Sequence, residues 1–258
     1  MSIEEIINPA INITNIDFMS QCRDQLDANG ILVLSDFISA RALSKMKEEA
    51  AQGIDHAYFC ANTHNVYLTP IDPNFPLEHP RNREVVSSKG LIGDDQIPET
   101  SPLKSLYRNK NFQVFIASVV GEPALFPYVD PLSPVNIHYA KKGQELGWHF
   151  DNSSFAITLL IDKPDGGGDF EYLRDVRNAD AGDFNFDLVG RLLDDEIKPD
   201  QLKMEPGMLV LFRGRNSIHR VTPTQGDKTR MLAVLTYNSE PGIELSESAR
   251  MTFYGRLG

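Results

Sequence analysis

From about residue 130 onward the chain is divided into short apolar segments by glycine, proline and aspartate. Short segments rich in β-branched and aromatic residues, separated by turn residues, are typical of antiparallel strands. A jelly roll is the natural architecture for many such strands. We therefore predict a mainly β fold with a double-stranded β-helix (jelly-roll) core over residues 126–258. The predicted strands are Val135–Ala140, Trp148–Asp151, Phe155–Asp162, Asp169–Leu173, Met208–Arg213, His219–Val221 and Arg230–Asn238.

Residues 1–125 follow a different pattern and are predicted to form an N-terminal helical layer. Ile16–Asn29 carries apolar side chains close to a 3.6-residue period and ends at Gly30. We predict a buried strand over Ile31–Leu34 and further helices over Ala40–Gly53 and Ser105–Val120. The whole chain, 1–258, is interpreted as a single domain that is α+β overall.

Two segments are predicted to lie outside the regular elements. Residues 58–100 contain five prolines, which exclude long helices, so we predict a loop-rich lid. Within it, Arg81 and Arg83 either belong to a solvated charge cluster or reach over a site to hold a substrate carboxylate. The acidic segment 174–205 is predicted to be a surface insertion.

The net charge limits the possible binding partners, and the cysteine content indicates the compartment. The net charge of -11, from 25 basic and 36 acidic residues, argues against a nucleic-acid surface, which needs a basic patch. The two cysteines, Cys22 and Cys60, indicate a reducing compartment rather than a disulfide framework. The sequence lacks both a signal-peptide pattern and a run of about 18 apolar residues. We expect a cytoplasmic protein without a nucleic-acid or membrane partner, and the oligomeric state stays open.

One constellation of side chains has the composition of a metal site. His149 and Asp151 are separated by one residue, so on a strand both project to one face while Phe150 points the other way. His219 follows the apolar run Leu209–Phe212, where a later strand can bring it opposite the first pair. Two imidazoles and one carboxylate form the facial triad that holds Fe(II) and leaves coordination positions open. The spacing therefore predicts an iron site at these three residues.

A cation near this site is a candidate for binding a cosubstrate. Arg230 lies eleven residues after His219 in an apolar, strand-like run. Its planar guanidinium suits a bidentate contact with the distal carboxylate of a keto acid. Arg220 is the alternative, but it directly follows His219 and should face away on a strand.

Three segments around these residues resemble the motifs of the Fe(II)/2-oxoglutarate-dependent dioxygenase superfamily, including its prolyl-hydroxylase-like members. The resemblance implies Fe(II), 2-oxoglutarate as cosubstrate and O2, with succinate and CO2 as coproducts. It also implies a cosubstrate contact from Tyr139, ten residues before the first histidine. The segments are Tyr139-x-x-x-Gly143-Gln144-x-x-x-x-His149-Phe150-Asp151-Asn152, Pro206–Phe212 with Ser217–Val221, and Thr229-Arg230-Met231.

A narrower resemblance involves Gly167–Tyr172 and Arg177, which are similar to the free-amino-acid branch that includes lysine radical halogenases and hydroxylase relatives. In those halogenases a small residue replaces the carboxylate ligand and leaves a position for chloride. Asp151 departs from that pattern and favours hydroxylation.

The resemblance to this branch implies a free amino acid as substrate, and a lysine- or arginine-like one is predicted. Asn152 and Thr236 are candidate substrate contacts, because they are polar residues in apolar strands, and Asp130 or Glu145 would suit a cationic side chain. Desaturation or cyclisation by the same triad, or a metal-binding jelly roll without turnover, are the alternatives.

Overall fold

The computed structural model describes residues 1–258, which form seven α-helices and a β-rich core. None of the helices combines the length and the apolar character needed to cross a membrane. The helices are α1 Ile3–Ile6, α2 Ile16–Asn29, α3 Ala40–Gly53, α4 Pro102–Arg108, α5 Lys110–Val120, α6 Phe186–Leu193 and α7 Glu247–Tyr254.

The strands are short, and most lie between residues 126 and 238. They are β1 Ile31–Leu34, β2 Tyr58–Asn65, β3 Glu84–Ile92, β4 Phe126–Pro127, β5 Val135–Ala140, β6 Leu146–His149, β7 Ala156–Asp162, β8 Gly166–Gly167, β9 Phe170–Leu173, β10 Asp200–Leu202, β11 Leu209–Phe212, β12 Ile218–Val221, β13 Thr224–Gln225, β14 Arg230–Leu235 and β15 Tyr237–Asn238.

Eleven of these strands form one curled antiparallel sheet. Its order is β1-β11-β7-β14-β5-β3-β6-β12-β9-β10, with β2 paired to β3. Strand β3 pairs with β5 through Gly90–Ile92 and with β6 at Ser87, so it joins the two halves of the sheet. The predicted mainly β jelly-roll fold with an N-terminal helical layer is confirmed.

Side chains along the strands point alternately to a packed face of the sheet and to an open face. On β5, Val135, Ile137 and Tyr139 belong to the main hydrophobic core, which they share with the helices of the N-terminal layer. Side chains at the alternate positions of the same strands face the other way, because successive side chains in a strand point to opposite faces. His138 is one of them, and it lines a cavity on the open face.

A second, smaller core lies behind the strand that carries the predicted metal ligands. Trp148 and Phe150 pack there with Val189 and Leu192 of α6. The segment 174–205, predicted to be a surface insertion, is mostly exposed, but it contains α6 and β10 and adds Val176, Val189 and Leu192 to this core.

The prediction that 58–100 is loop-rich is wrong at both flanks of the proline-rich part, where β2 and β3 form. Strands β2 and β3 pair over eight register positions, Tyr58 with Leu91 through Asn65 with Glu84. The prolines between residues 70 and 80 lie in the connection between these strands, and only Pro98 follows them. Because proline excludes helices but allows a hairpin with a long connection, the proline count could not separate the two possibilities.

The predicted helix Ser105–Val120 is interrupted at one residue. Asn109 has extended backbone angles, and its side chain accepts hydrogen bonds from the backbone N–H groups of Asn111 and Phe112. Asparagine at this position therefore ends α4 and caps α5, which is a role for which asparagine is strongly preferred.

Candidate metal centre and active site

The two histidines predicted as metal ligands face each other across a strand pair. His149 of β6 and His219 of β12 are register partners, and their ring centroids lie 4.1 Å apart. Asp151 follows β6, and its Oδ1 lies 3.7 Å from Nε2 of His149 and 3.6 Å from Nε2 of His219. The structure thus brings the three residues together, with one ligand atom of each within 4.8 Å of the others.

Hydrogen bonds to the backbone orient both imidazole rings. Nδ1 of His149 lies 2.9 Å from the carbonyl oxygen of Gly147, and Nδ1 of His219 lies 3.2 Å from that of Ser217. A carbonyl oxygen only accepts, so each Nδ1 donates and each Nε2 is left facing the carboxylate of Asp151. Burial, followed by the neighbouring His219, holds the pKa of His149 well below its usual value, which favours the neutral, metal-binding form.

The surroundings of Asp151 fit a bound cation. Its Oδ2 is buried and has no hydrogen-bond partner, which is costly for a carboxylate oxygen unless another positive group satisfies it. Gly214 lies against this oxygen, and a Cβ atom there would overlap with it and stand 3.0 Å from Cε1 of His219. Two neutral imidazoles and a carboxylate with open positions suit Fe(II), so the residues present fit iron.

The triad opens into a cavity of about 640 Å³ on the open face of the sheet. Half of the lining residues are hydrophobic, among them Leu146, Phe170 and Val221. Strands β2 and β3 form one wall, and Ser248 and Thr252 of α7 cover another part. A cavity that combines apolar walls with polar groups beside the triad is typical of a small-molecule site.

Arg230 is a buried cation at this cavity. Its side chain has no carboxylate within ion-pair distance, and Nη2 contacts only Sδ of Met204, at 3.9 Å. Burial lowers the pKa of Arg230 to about 10, so it keeps its charge at neutral pH. A Cβ atom at Gly168 would stand 2.9 Å from Cδ of Arg230, so the glycine allows the arginine stem to lie against the backbone.

Arg220, the alternative cation, faces away from the cavity. Its Nε donates to Oε2 of Glu171 at 2.7 Å, and its guanidinium carbon lies 4.7 Å from the ring centroid of Trp148. This agrees with the expectation from strand alternation.

The structure corrects the expectation for Tyr139. Its side chain is fully buried in the main core, and its hydroxyl donates to the backbone carbonyl of Ala50 in α3 at 2.8 Å. Its neighbour His138 lines the cavity instead. The physical reason is the alternation of β5, in which the packed positions are Val135, Ile137 and Tyr139.

Of the two polar residues predicted as substrate contacts, one lines the cavity and the other hydrogen-bonds to the backbone elsewhere. Asn152 lines the cavity next to Asp151. Thr236 does not, because its hydroxyl donates to the carbonyl of Ser133 at 2.5 Å, beyond the end of β14.

The predicted lid arginines are occupied elsewhere. Arg81 donates to the carbonyl of Pro70 at 3.2 Å. Arg83 pairs with Asp194 and donates to the carbonyl of Leu193 at 2.8 Å, so it fastens the connection to the end of α6. Neither lines the cavity.

The two acidic candidates also lie outside the cavity lining. Asp130 is buried and accepts hydrogen bonds from the backbone N–H groups of Leu132, Ser133 and Leu245. It therefore holds a turn together, and Glu145 is likewise absent from the lining.

Several lining residues on β2 and β3 were not predicted. They include Lys89, Ser87 and His64, whose Nε2 lies 2.6 Å from the Ser87 hydroxyl. The signal that could have found them is the alternation of Glu84–Ile92, which places Ser87 and Lys89 on one face.

Comparison of the sequence with protein families gives one match. The profile of the family described as HalD, Halogenase D, matches residues 14–252. No curated protein matches the chain.

Solved structures with the same fold are distant in sequence. An oxidoreductase of the 2OG-Fe(II) oxygenase family from Burkholderia pseudomallei aligns with a TM-score of 0.56 and 14% identity, over 88% of this chain and 94% of that one. The alpha-ketoglutarate-dependent carbocyclase SnoK from nogalamycin biosynthesis gives 0.59 and 10%, over 93% and 92%. A Pseudomonas putida prolyl-4-hydroxylase gives 0.52 and 12%, over 84% and 97%. These likenesses establish the fold.

Proposed function

The chain belongs to the Halogenase D family within the Fe(II)/2-oxoglutarate oxygenases, and from this we propose that it hydroxylates an unactivated C–H bond of a free amino acid. In the balanced reaction, the substrate, 2-oxoglutarate and O2 give the hydroxylated substrate, succinate and CO2. The observation that carries the proposal is the cluster of His149, Asp151 and His219 at a cavity that also holds the unpaired Arg230.

The roles follow from the geometry of the chain's own residues. His149, Asp151 and His219 would hold Fe(II), which supplies the activation of dioxygen when bound together with the keto acid. Arg230 would bind the distal carboxylate of 2-oxoglutarate, because a buried guanidinium without an acidic partner gains a charge-assisted hydrogen bond there. Asn152 lies beside the triad, where it can orient a polar group of the substrate.

Asp151 favours hydroxylation over halogenation. Its carboxylate lies among the ligand atoms of the triad, and Gly214 fits closely against it. A carboxylate in this position takes the coordination site that a halide would need. Desaturation or cyclisation would use the same triad, and the product distinguishes them from hydroxylation.

A metal-binding module without turnover is the second candidate function. The buried Arg230 weighs against it, because a module that only binds iron has no evident need for an unpaired cation beside the metal ligands.

The decisive experiment measures succinate formed from 2-oxoglutarate with Fe(II) and O2 across a panel of free amino acids, with mass spectrometry of the products. Stimulation by one compound with a gain of one oxygen supports the proposal. Asp151→Ala should abolish this turnover, whereas Asp180→Ala, at a side chain 76% exposed, is the matched control. Iron binding without any succinate would support the module instead.

A further inference from the structure

The charges that line the cavity are unevenly distributed. Asp151 is its one acidic residue, and that carboxylate belongs to the triad. Two basic side chains, Lys89 and Arg230, line the same space. If Arg230 takes the distal carboxylate of 2-oxoglutarate, one cation is left without an assigned partner, and a cationic substrate side chain finds no free carboxylate.

Lys89 has no partner within the protein. Its ammonium makes neither a hydrogen bond nor an ion pair, although Lys104 elsewhere in the chain pairs with Asp94 and Glu99. Its Nζ lies 5.4 Å from the ring centroid of Phe253, which follows the cavity-facing residue Thr252 on α7. An ammonium held among apolar groups is costly without a compensating anion.

The position of Lys89 separates it from the cosubstrate site. It lies on β3, whereas Arg230 lies on β14, and β5 runs between these two strands. His138 of β5 pairs with Leu91 on one side and Leu232 on the other, and its pKa is held well below the usual value by burial first and then by the charges of Lys89 and Arg230. His138 is therefore neutral, and two separate positive positions flank it.

We propose that Lys89 binds the carboxylate of the primary substrate, and that this enzyme accepts free amino acids whose side chain carries no positive charge. The inference rests on the proposed function and narrows its substrate class. An ion pair formed in this partly apolar cavity would be stronger than one at the surface, because Lys89 is half-buried and its charge is less screened by water there. The apolar lining, which includes Leu146 and Val221, suits an uncharged side chain.

This assignment differs from the expectation of a lysine- or arginine-like substrate. A second ammonium or guanidinium in the cavity would meet Lys89, Arg230 and the neutral His138, and Asp151 would be its one acidic neighbour. Like charges in a low-dielectric space repel strongly, so a cationic side chain would bind weakly there.

The test compares free acids with their primary amides. Leucine, phenylalanine, glutamate and lysine would each be offered as the L-amino acid and as the amide, which keeps the α-amine and removes the carboxylate charge. Succinate formation is measured with Fe(II), 2-oxoglutarate and O2. Binding is measured by calorimetry without O2, with Mn(II) in place of iron. We expect a non-basic free acid to bind and to stimulate turnover at least tenfold better than its amide.

Variants of Lys89 test the residue itself. Lys89→Met should raise the KM for the best free acid at least tenfold and remove its advantage over the amide, with a smaller change in the KM for the keto acid. Lys89→Arg should recover part of the loss, because it keeps the charge. Lys198→Met, at an exposed lysine, is the matched control, and melting temperatures report whether each variant is folded.

The outcomes separate the inference from the proposed function. Amides that work as well as acids, lysine as the best stimulant, or an unchanged substrate KM in folded Lys89→Met would each overturn the inference. So would succinate formation that no acid of the panel stimulates, although the oxygenase chemistry would then stand. Absence of succinate under every condition would remove the proposed function, and the inference with it.

Discussion

Gly214 lies directly against the carboxylate of Asp151, at a position where a side chain of any size would overlap with Oδ2. The backbone carbonyl of Gly214 also accepts the N–H of Asp151 at 3.0 Å. Gly214 thus fixes the backbone of Asp151 by a hydrogen bond and, because it has no side chain, leaves room for the Asp151 carboxylate.

We predict that Gly214→Ala weakens Fe(II) binding at least tenfold, because the added methyl group displaces the Asp151 carboxylate from the two imidazoles. Metal content after anaerobic reconstitution and a titration with Mn(II) would measure this. Gly166→Ala is a suitable control, since a Cβ there meets only Gln225 at 3.4 Å. Equal metal affinity in the two variants would show that Gly214 does not shape the site.

Replacement of Arg230 should act on the cosubstrate. Arg230→Met should raise the KM for the keto acid at least tenfold, because the distal carboxylate would lose its charged partner in a buried place. Arg220→Met, which removes a guanidinium bound to Glu171 outside the cavity, should change this KM less than twofold. A larger effect at Arg220 than at Arg230 would reverse the assignment.

Tyr139→Phe should affect stability and not the cosubstrate. The change removes one hydrogen bond to the carbonyl of Ala50, so the free energy of unfolding should fall by about 1 kcal/mol. The KM for the keto acid should stay within twofold of the wild-type value, as steady-state kinetics and denaturant unfolding would show. A strong rise in that KM would mean that Tyr139 reaches the cosubstrate after all.

Substrate capture should depend on pH through Lys89. Burial lowers the pKa of this lysine to about 8, so it is an ammonium below that pH and becomes a neutral amine as the pH rises through it. Because kcat/KM reports the free enzyme, its value for the substrate should fall above about pH 8. In Lys89→Arg the fall should vanish, since a guanidinium keeps its charge over this range. A profile identical to that of the wild type would assign the titration to another group.

The metal ligands were predictable because their pattern is local. One intervening residue places His149 and Asp151 on the same side of the chain, and the apolar strands around His219 indicate where the third ligand returns. Arg230 and Arg220 could be told apart by the same alternation. These inferences need only the strand period and the chemistry of the donor atoms.

The substrate side of the cavity was not predictable in this way. Lys89 lies on β3, whose connection to β2 is rich in proline. These prolines led to the prediction of a loop-rich segment instead of a hairpin. The resemblance to the family motif implies a cosubstrate contact for Tyr139, although the apolar residues Val135 and Ile137 indicate that it faces the core. Arg83 contacts α6, more than a hundred residues away, and no local pattern reports such a contact.

The helix α7 covers part of the cavity with Ser248, Ala249 and Thr252, whereas the ligand atoms and Arg230 come from β6 and the residues just after it, from β12 and from the start of β14. The metal ligands and this cover are therefore encoded in separate stretches of the gene. Exchange of the segment 245–253 between relatives would therefore remodel one wall of the cavity and leave the metal ligands, Arg230 and Lys89 in place.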